Sequence, residues 1–170
     1  MWVKNVVKRA KKGQYMGQST ALENAIVGQV NSGGYAGDVN AFTAWEAVKN
    51  SPNAVLVDVR TQAEWNFVGV PDLSSVGKQP LFIEWQMFPT MELNASFVDM
   101  VIAAAPDKMA PLYFLCRSGA RSKSAAVAMT EAGYVLCYNI APGFEGPHDG
   151  EQHRGSVEGW KASDLPWVQG

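Results

Sequence analysis

From residue 37 onward, short apolar runs alternate with stretches of helical periodicity. Residues 54–59 form a near-continuous branched apolar run after the Ser51-Pro52-Asn53 turn, the pattern of a strand buried on both faces. Residues 112–115 have the length and aromatic content of another buried strand. Residues 81–85 and 135–140 predict two more, and residues 37–39 a short edge strand. Between them, Asn40 is placed to cap a helix over 41–49, and Asn94 to cap an amphipathic helix over 95–105 that Pro106 ends. Residues 122–132 are rich in alanine and stop at Gly133, a third helix. This alternation predicts an α/β fold, a parallel sheet covered on both faces. Residues 141–170 read as a long Gly/Pro-rich loop anchored by Trp160 and Trp167.

The first 34 residues follow a different pattern. Trp2, Val3, Val6, Val7 and Ala10 fall on one helical face with Lys4, Lys8, Lys11 and Lys12 mostly opposite, so residues 1–12 predict a basic amphipathic helix. Thr20-Ala-Leu-Glu23 has capping-box spacing before an apolar run that ends at Gly33-Gly34. The expected organisation is an N-terminal helical extension over 1–34 and a main domain over 35–170. Three roles compete for residues 1–12: a solvated tail, a helix docked on this protein or a partner, and weak contact with a membrane surface.

Size and charge narrow the picture. A chain of 170 residues that is 47% hydrophobic can bury one good core. No run approaches 18 apolar residues, so no membrane-spanning helix is expected. Two cysteines make no disulfide framework, which points to a reducing compartment, with the cytoplasm as the default and a membrane surface reached only through residues 1–12. Five basic side chains in the first twelve residues leave the remainder at −7 against −2 overall. An acidic body argues against nucleic-acid binding.

The chemistry concentrates where the strand at 112–115 runs into Cys116-Arg117-Ser118-Gly119-Ala120-Arg121-Ser122 and then a helix. Unpaired N–H groups of a first helical turn, the helix dipole and two arginines all favour negative charge, and together they lower a cysteine's pKa from about 8.5 towards neutrality. The loop therefore reads as a reactive thiolate in an anion-binding nest. The competing reading, a small buried hydrophobe ending a strand, leaves two nearby arginines without an anion. Ligands collect beyond the carboxyl ends of parallel strands, which adds Asp58, Arg60 and Glu64 to the neighbourhood. Asp58 and Glu64 are expected to pair with Arg60 or with backbone N–H groups and hold their turn, since an ionised thiol needs no base. Trp65, Phe67 and Trp85 are candidates for an apolar pocket wall or for core. Cys137 reads as core, about 10 Å below the strand end at about 3.3 Å per residue. His148 and His153 have no metal-ligand spacing and read as a polar loop. Glu145 reads as holding its turn, with a place on the rim of the site as the alternative.

Asp58-Val-Arg60, Glu64-Trp65, Cys116 to Ser122, Gly143-Phe-Glu-Gly146, and Trp160 with Leu165-Pro166, in that order, resemble the rhodanese homology domain in its single-domain bacterial form. The likeness runs from about Tyr35 to Trp167. It implies a five-stranded parallel sheet flanked by helices and a sulfurtransferase reaction. In that family the cysteine matching Cys116 takes a sulfane sulfur from a small anionic donor, thiosulfate or a persulfide, and passes it to a thiol, protein or other thiophilic acceptor. The resemblance implies that N–H groups from Arg117 to Ser122 hold the terminal sulfur and that Arg117 and Arg121 recruit the donor. No cofactor or metal is implied. The chain departs from the family at residues 67–72, where a histidine-containing turn is usual and Phe67-Val-Gly-Val-Pro71-Asp72 stands instead. Two other readings compete: a sulfur carrier or partner-binding module without catalysis, and a phosphatase or arsenate reductase of the same fold. Phosphatases place five residues between cysteine and arginine, and here there are four, a smaller ring suited to one sulfur.

Overall fold

Branched and aromatic side chains with alternating faces build the sheet. The computed structural model describes residues 33–170, so the expected basic segment at 1–12 and the helix after Thr20 lie outside the described residues. The central sheet holds β1 (Gly37–Val39), β2 (Val55–Asp58), β4 (Leu81–Phe82), β7 (Leu112–Leu115) and β8 (Cys137–Ile140), all parallel, in the order β1-β8-β7-β2-β4. The helices are α1 (Ala41–Asn50), α2 (Gln62–Val68), α3 (Phe97–Ala104) and α4 (Ala120–Glu131). The family's five-stranded α/β arrangement is thus present. No helix among the described residues is long and apolar enough to cross a membrane.

Successive strand residues face opposite sides, and the core divides accordingly. Val57, Leu112, Phe114 and Cys137 join Phe97 and Val101 of α3 and Ala125, Ala126 and Met129 of α4 on one face. Leu56, Tyr113, Leu115 and Ile140 meet Ala44, Trp45 and Val48 of α1 on the other, where Phe144, Trp160 and Leu165 complete the layer. Asp58 lies opposite both Leu115 and Phe82, so β2, β7 and β4 end level with one another.

Several boundaries differ from the sequence expectation for local reasons. Asn40 does cap α1, accepting from the Thr43 N–H at 2.7 Å. Asn94 does not cap α3: its Oδ1 accepts from the Ser96 N–H at 3.1 Å and its amide donates to the Glu84 carbonyl at 2.9 Å, so the helix starts at Phe97. The strand at 81 is two residues long because the chain then turns into an antiparallel hairpin, β5 (Gln86–Met87) with β6 (Glu92–Leu93), which the apolar pattern did not announce. The C-terminal stretch is pinned rather than loose. Trp160 is fully buried, packs edge-on against Trp45 and donates to the Pro166 carbonyl at 2.8 Å. Trp167 is partly exposed, and β9 (Trp167–Val168) pairs antiparallel with β3 (Val70–Pro71). Cys137 lies opposite Leu112, well below the sheet's rim, and burial pushes its thiol up to about 11.

One charged pair sits inside this core. Asp58 and Arg60 are both fully buried, with Nη2 to Oδ2 at 2.6 Å and Nε to Oδ1 at 2.9 Å. Arg60 also donates to the Gly69 carbonyl at 2.8 Å and lies 4.1 Å from the centre of the Phe144 ring. The pair ties the end of β2 to the turn at Gly69 and to the C-terminal layer. Removing one partner of a buried pair leaves the other unpaired, so Asp58→Ala is expected to cost about 3–5 kcal/mol. Urea denaturation measures this, and a loss below about 1 kcal/mol would show that the guanidinium finds another partner.

Candidate active site

The loop after β7 is fixed from behind by its own carbonyl groups. The Cys116 carbonyl accepts from the Phe144 N–H at 2.8 Å, and the Arg117 carbonyl from the N–H groups of Glu145 and Gly146 at 3.0 and 3.3 Å. These three bonds account for the Gly143-Phe-Glu-Gly146 turn. Gly119 is the N-cap of α4 at φ 101°, and a Cβ there would collide with the Ala141 carbonyl. That conformation aims the Gly119 N–H at Cys116 Sγ, 3.1 Å away. The first-turn N–H groups of α4 follow immediately, without intrahelical partners.

Cys116 is 1% exposed and forms part of the floor of a cleft of about 680 Å³ at the carboxyl end of the sheet. Arg117, Ser118, Ala120 and Arg121 bring the loop's edge to this cleft. Thr61, Glu64 and Val68 bring the start and one face of α2. Phe88 and Met91, from the β5–β6 hairpin, supply an exposed apolar wall, and Glu145 and Arg154 close the far side. Arg154 donates to the Gly146 carbonyl, which steadies it there.

Arg121 and Glu64 meet as a two-pronged pair, with both N–O distances 2.7 Å. Glu64 also closes the capping box of α2, accepting from the Thr61 N–H at 3.0 Å. Burial alone would raise the Glu64 carboxyl, but the hydrogen bond from Arg121, the Thr61 N–H and the Arg121 charge outweigh it and hold it at about 2. Burial would lower Arg121, and its bond and attraction to Glu64 carry it upward instead. The sequence placed Arg121 as a recruiter of anions and linked Glu64 with Arg60 or the backbone. In the structure the backbone link holds, and the cation partner of Glu64 is Arg121. Arg117 is exposed and makes no salt bridge among the described residues, so the accessible charge at the rim is its own.

Behind the sulfur, Ser122 Oγ lies 3.1 Å from Sγ and 2.6 Å from Asn139 Oδ1. Asn139 Nδ2 donates to Asp38 Oδ1 at 2.9 Å, and the Tyr35 hydroxyl donates to the same oxygen at 2.6 Å. Desolvation, then the bond and charge of Asp38, push the Tyr35 hydroxyl up to about 12. Asn139, Asp38 and Tyr35 were not singled out from sequence. The available signal was a polar side chain inside the apolar run of β8.

Asp58 and Arg60 pair beneath the site and do not line the cleft. Trp65 packs on Phe82 and Trp85 on Phe97, while Phe67 points into solvent, so none of the three lines the cleft. His148 and His153 are exposed beside a turn that Asp149 organises by accepting from the N–H groups of Glu151 and His153.

The depressed Glu64 carboxyl makes a prediction. Its folded value lies below the ordinary 4.5, so its contribution to stability is complete above about pH 4.5 and is lost as pH falls towards about 2. Thermal denaturation across that range should show wild type and Glu64→Gln converging in stability as the solution is acidified. A constant gap down to pH 2 would contradict the pairing.

Comparison with known proteins bears on the family and the fold. A family model described as the STR4 middle domain matches residues 36–170. A Rickettsia rickettsii protein described as uncharacterized is 43% identical over 125 residues, spanning 73% of this chain and 90% of its own. The crystal structure of Rv0390 from M. tuberculosis superposes with a TM-score of 0.71 at 50% identity, covering 80% of this chain and 99% of that one. The chloroplastic rhodanese-like domain-containing protein 4 of Arabidopsis thaliana is 26% identical over 131 residues, covering 76% of this chain but only 25% of that protein. The polysulfide-sulfur transferase homodimer of Wolinella succinogenes shares the fold, at 18% identity and a TM-score of 0.54 over 90% of this chain and 91% of that one. The family match spans most of the chain and these neighbours share its sheet, so the chain belongs to the rhodanese-like family represented by the STR4 middle domain.

Proposed function

We propose that this protein is a sulfurtransferase that carries a sulfane sulfur on Cys116 as a persulfide. The observation that carries the reading is a cysteine sulfur on the floor of an open cleft, with the Gly119 N–H aimed at it and only four residues before Arg121. The thiolate attacks the outer sulfur of thiosulfate or of a persulfide donor. The donor's S–S bond breaks, its electron pair leaves with sulfite or a thiolate, and Cys116 keeps the outer sulfur. A nucleophilic acceptor, cyanide in an assay or a thiolate, then attacks that outer sulfur and returns Cys116 to its thiolate. This is covalent catalysis in two displacements, with ping-pong kinetics. The loop N–H groups supply donors where the terminal sulfur bears charge.

Arg117 is the side chain placed to attract an anionic donor, while Arg121 is already neutralised by Glu64. The cleft exceeds what thiosulfate needs, and Phe88 with Met91 gives it an apolar side. Those features support a thiol-bearing acceptor, a small thiol or a protein cysteine, larger than the donor. Two cysteines make no disulfide framework, and a reducing compartment such as the cytoplasm is the location this reading assigns.

Incubation with thiosulfate should add the mass of one sulfur at residue 116, and Cys116→Ser should lose both that mass and thiosulfate:cyanide sulfurtransferase activity. An unchanged mass in the intact protein, or full activity in the variant, would refute the reading. Arg117→Ala should raise KM for thiosulfate roughly fivefold with kcat little changed, and should leave KM for an uncharged sulfane-sulfur donor, such as a neutral organic trisulfide, nearly unaltered, since one exposed charge–anion contact is worth about 1 kcal/mol. Equal effects on both donors would assign Arg117 a structural role.

A further inference from the structure

The hydrogen-bond chain behind Cys116 is one proton short whenever the sulfur is a thiolate. Asn139 Nδ2 faces the Asp38 carboxylate at 2.9 Å, and a carboxylate only accepts, so the amide is fixed with Oδ1 towards Ser122. Tyr35 donates to that carboxylate and remains protonated well beyond neutral pH. Ser122 is fully buried and Asn139 is 2% exposed, so each needs an internal partner. Ser122 has one hydroxyl proton and two claimants, Asn139 Oδ1 at 2.6 Å and Cys116 Sγ at 3.1 Å.

When the sulfur carries its proton, every group is satisfied: S–H donates to Ser122 Oγ, and Ser122 donates to Asn139. When that proton has left for solvent, the arrangement conflicts. Ser122 either turns its proton to the sulfur and strands a buried Asn139 oxygen, or keeps Asn139 and presents a lone pair to an anion. Both are unfavourable. In the persulfide the charge lies on the outer sulfur and Sγ is a neutral divalent atom, so Ser122 keeps its bond to Asn139 without facing an anion.

We propose that Asn139, oriented by Asp38, competes with Cys116 for the Ser122 proton and so restrains the free thiolate relative to both the thiol and the loaded persulfide. This rests on Cys116 being the reactive nucleophile of the proposed function. Asn139 is thereby a positioning residue acting through Ser122. The charged groups around the sulfur are Arg117 of its loop, Arg121 of α4 with Glu64 of α2, and Glu145 and Arg154 across the cleft, with the buried Asp58–Arg60 pair and Asp38 of β1, beyond Asn139, behind. Asn139→Leu and Ser122→Ala alter none of them.

The test is the pH dependence of iodoacetamide labelling at residue 116, located by peptide mass, in the full chain. Asn139→Leu keeps the side chain's shape and removes the competing oxygen. Its labelling midpoint should fall by about one pH unit, which is about tenfold faster labelling below the midpoint. In a Ser122→Ala background the same substitution should shift nothing, because the proton in dispute is gone. Should Asn139→Leu fail to fold, Asp38→Asn at an exposed position lets the Asn139 amide turn over. Removing that charge also acts directly on the sulfur, so its effect is read as the difference between the Ser122 protein and the Ser122→Ala background. A midpoint that stays put, or that moves equally in both backgrounds, overturns the proposal. Labelling requires no sulfur donor, so this result stands apart from the outcome of the thiosulfate experiment.

Discussion

The three N–H groups of Phe144, Glu145 and Gly146 that seize the carbonyls of Cys116 and Arg117 are the constraint on which the site depends. A strand end cannot turn into a helix within four residues unless its carbonyl groups find partners outside the turn. Here they find them in a segment that follows the last strand of the sheet, far along the chain. That contact frees the opposite edge of the loop, where Gly119 directs its N–H to the sulfur. It also couples the site to the C-terminal layer, because Phe144 packs in the core with Trp160 and lies against the buried Arg60.

Electrostatics around the sulfur is a balance rather than a uniform positive field. Arg121 is matched by Glu64, Arg60 by Asp58, and Arg117 alone among these stands unmatched at the rim. The paired cations act mainly as struts: one joins α4 to α2 across the cleft, the other joins β2 to the turn at Gly69. What remains to act on a reacting anion is local, a backbone N–H in front and a contested hydroxyl behind.

Much of this was legible in the sequence because it follows from local pattern. A branched run gave β2, length and aromatic content gave β7, Asn40 gave the start of α1, and the cysteine loop was visible from its strand-to-helix setting and its arginines. The boundaries that shifted did so where a side chain chose a different backbone partner, as Asn94 did with Ser96 and Glu84. The hairpin carrying Phe88 and Met91 was hidden because its strands are two residues each, too short for alternation to show. The pairing of Glu64 with Arg121 joins residues 57 apart, and that of Asn139 with Asp38 residues 101 apart. Neither could be read from spacing, since both are set by which strand neighbours which.

The brevity of the outer strands has a further consequence. β1 is three residues long and β4 two, so among the described residues each flank of the sheet offers only a few backbone groups to another chain. An incoming strand would gain too few hydrogen bonds to add on, which guards the described domain against templated fibre growth at high local concentration.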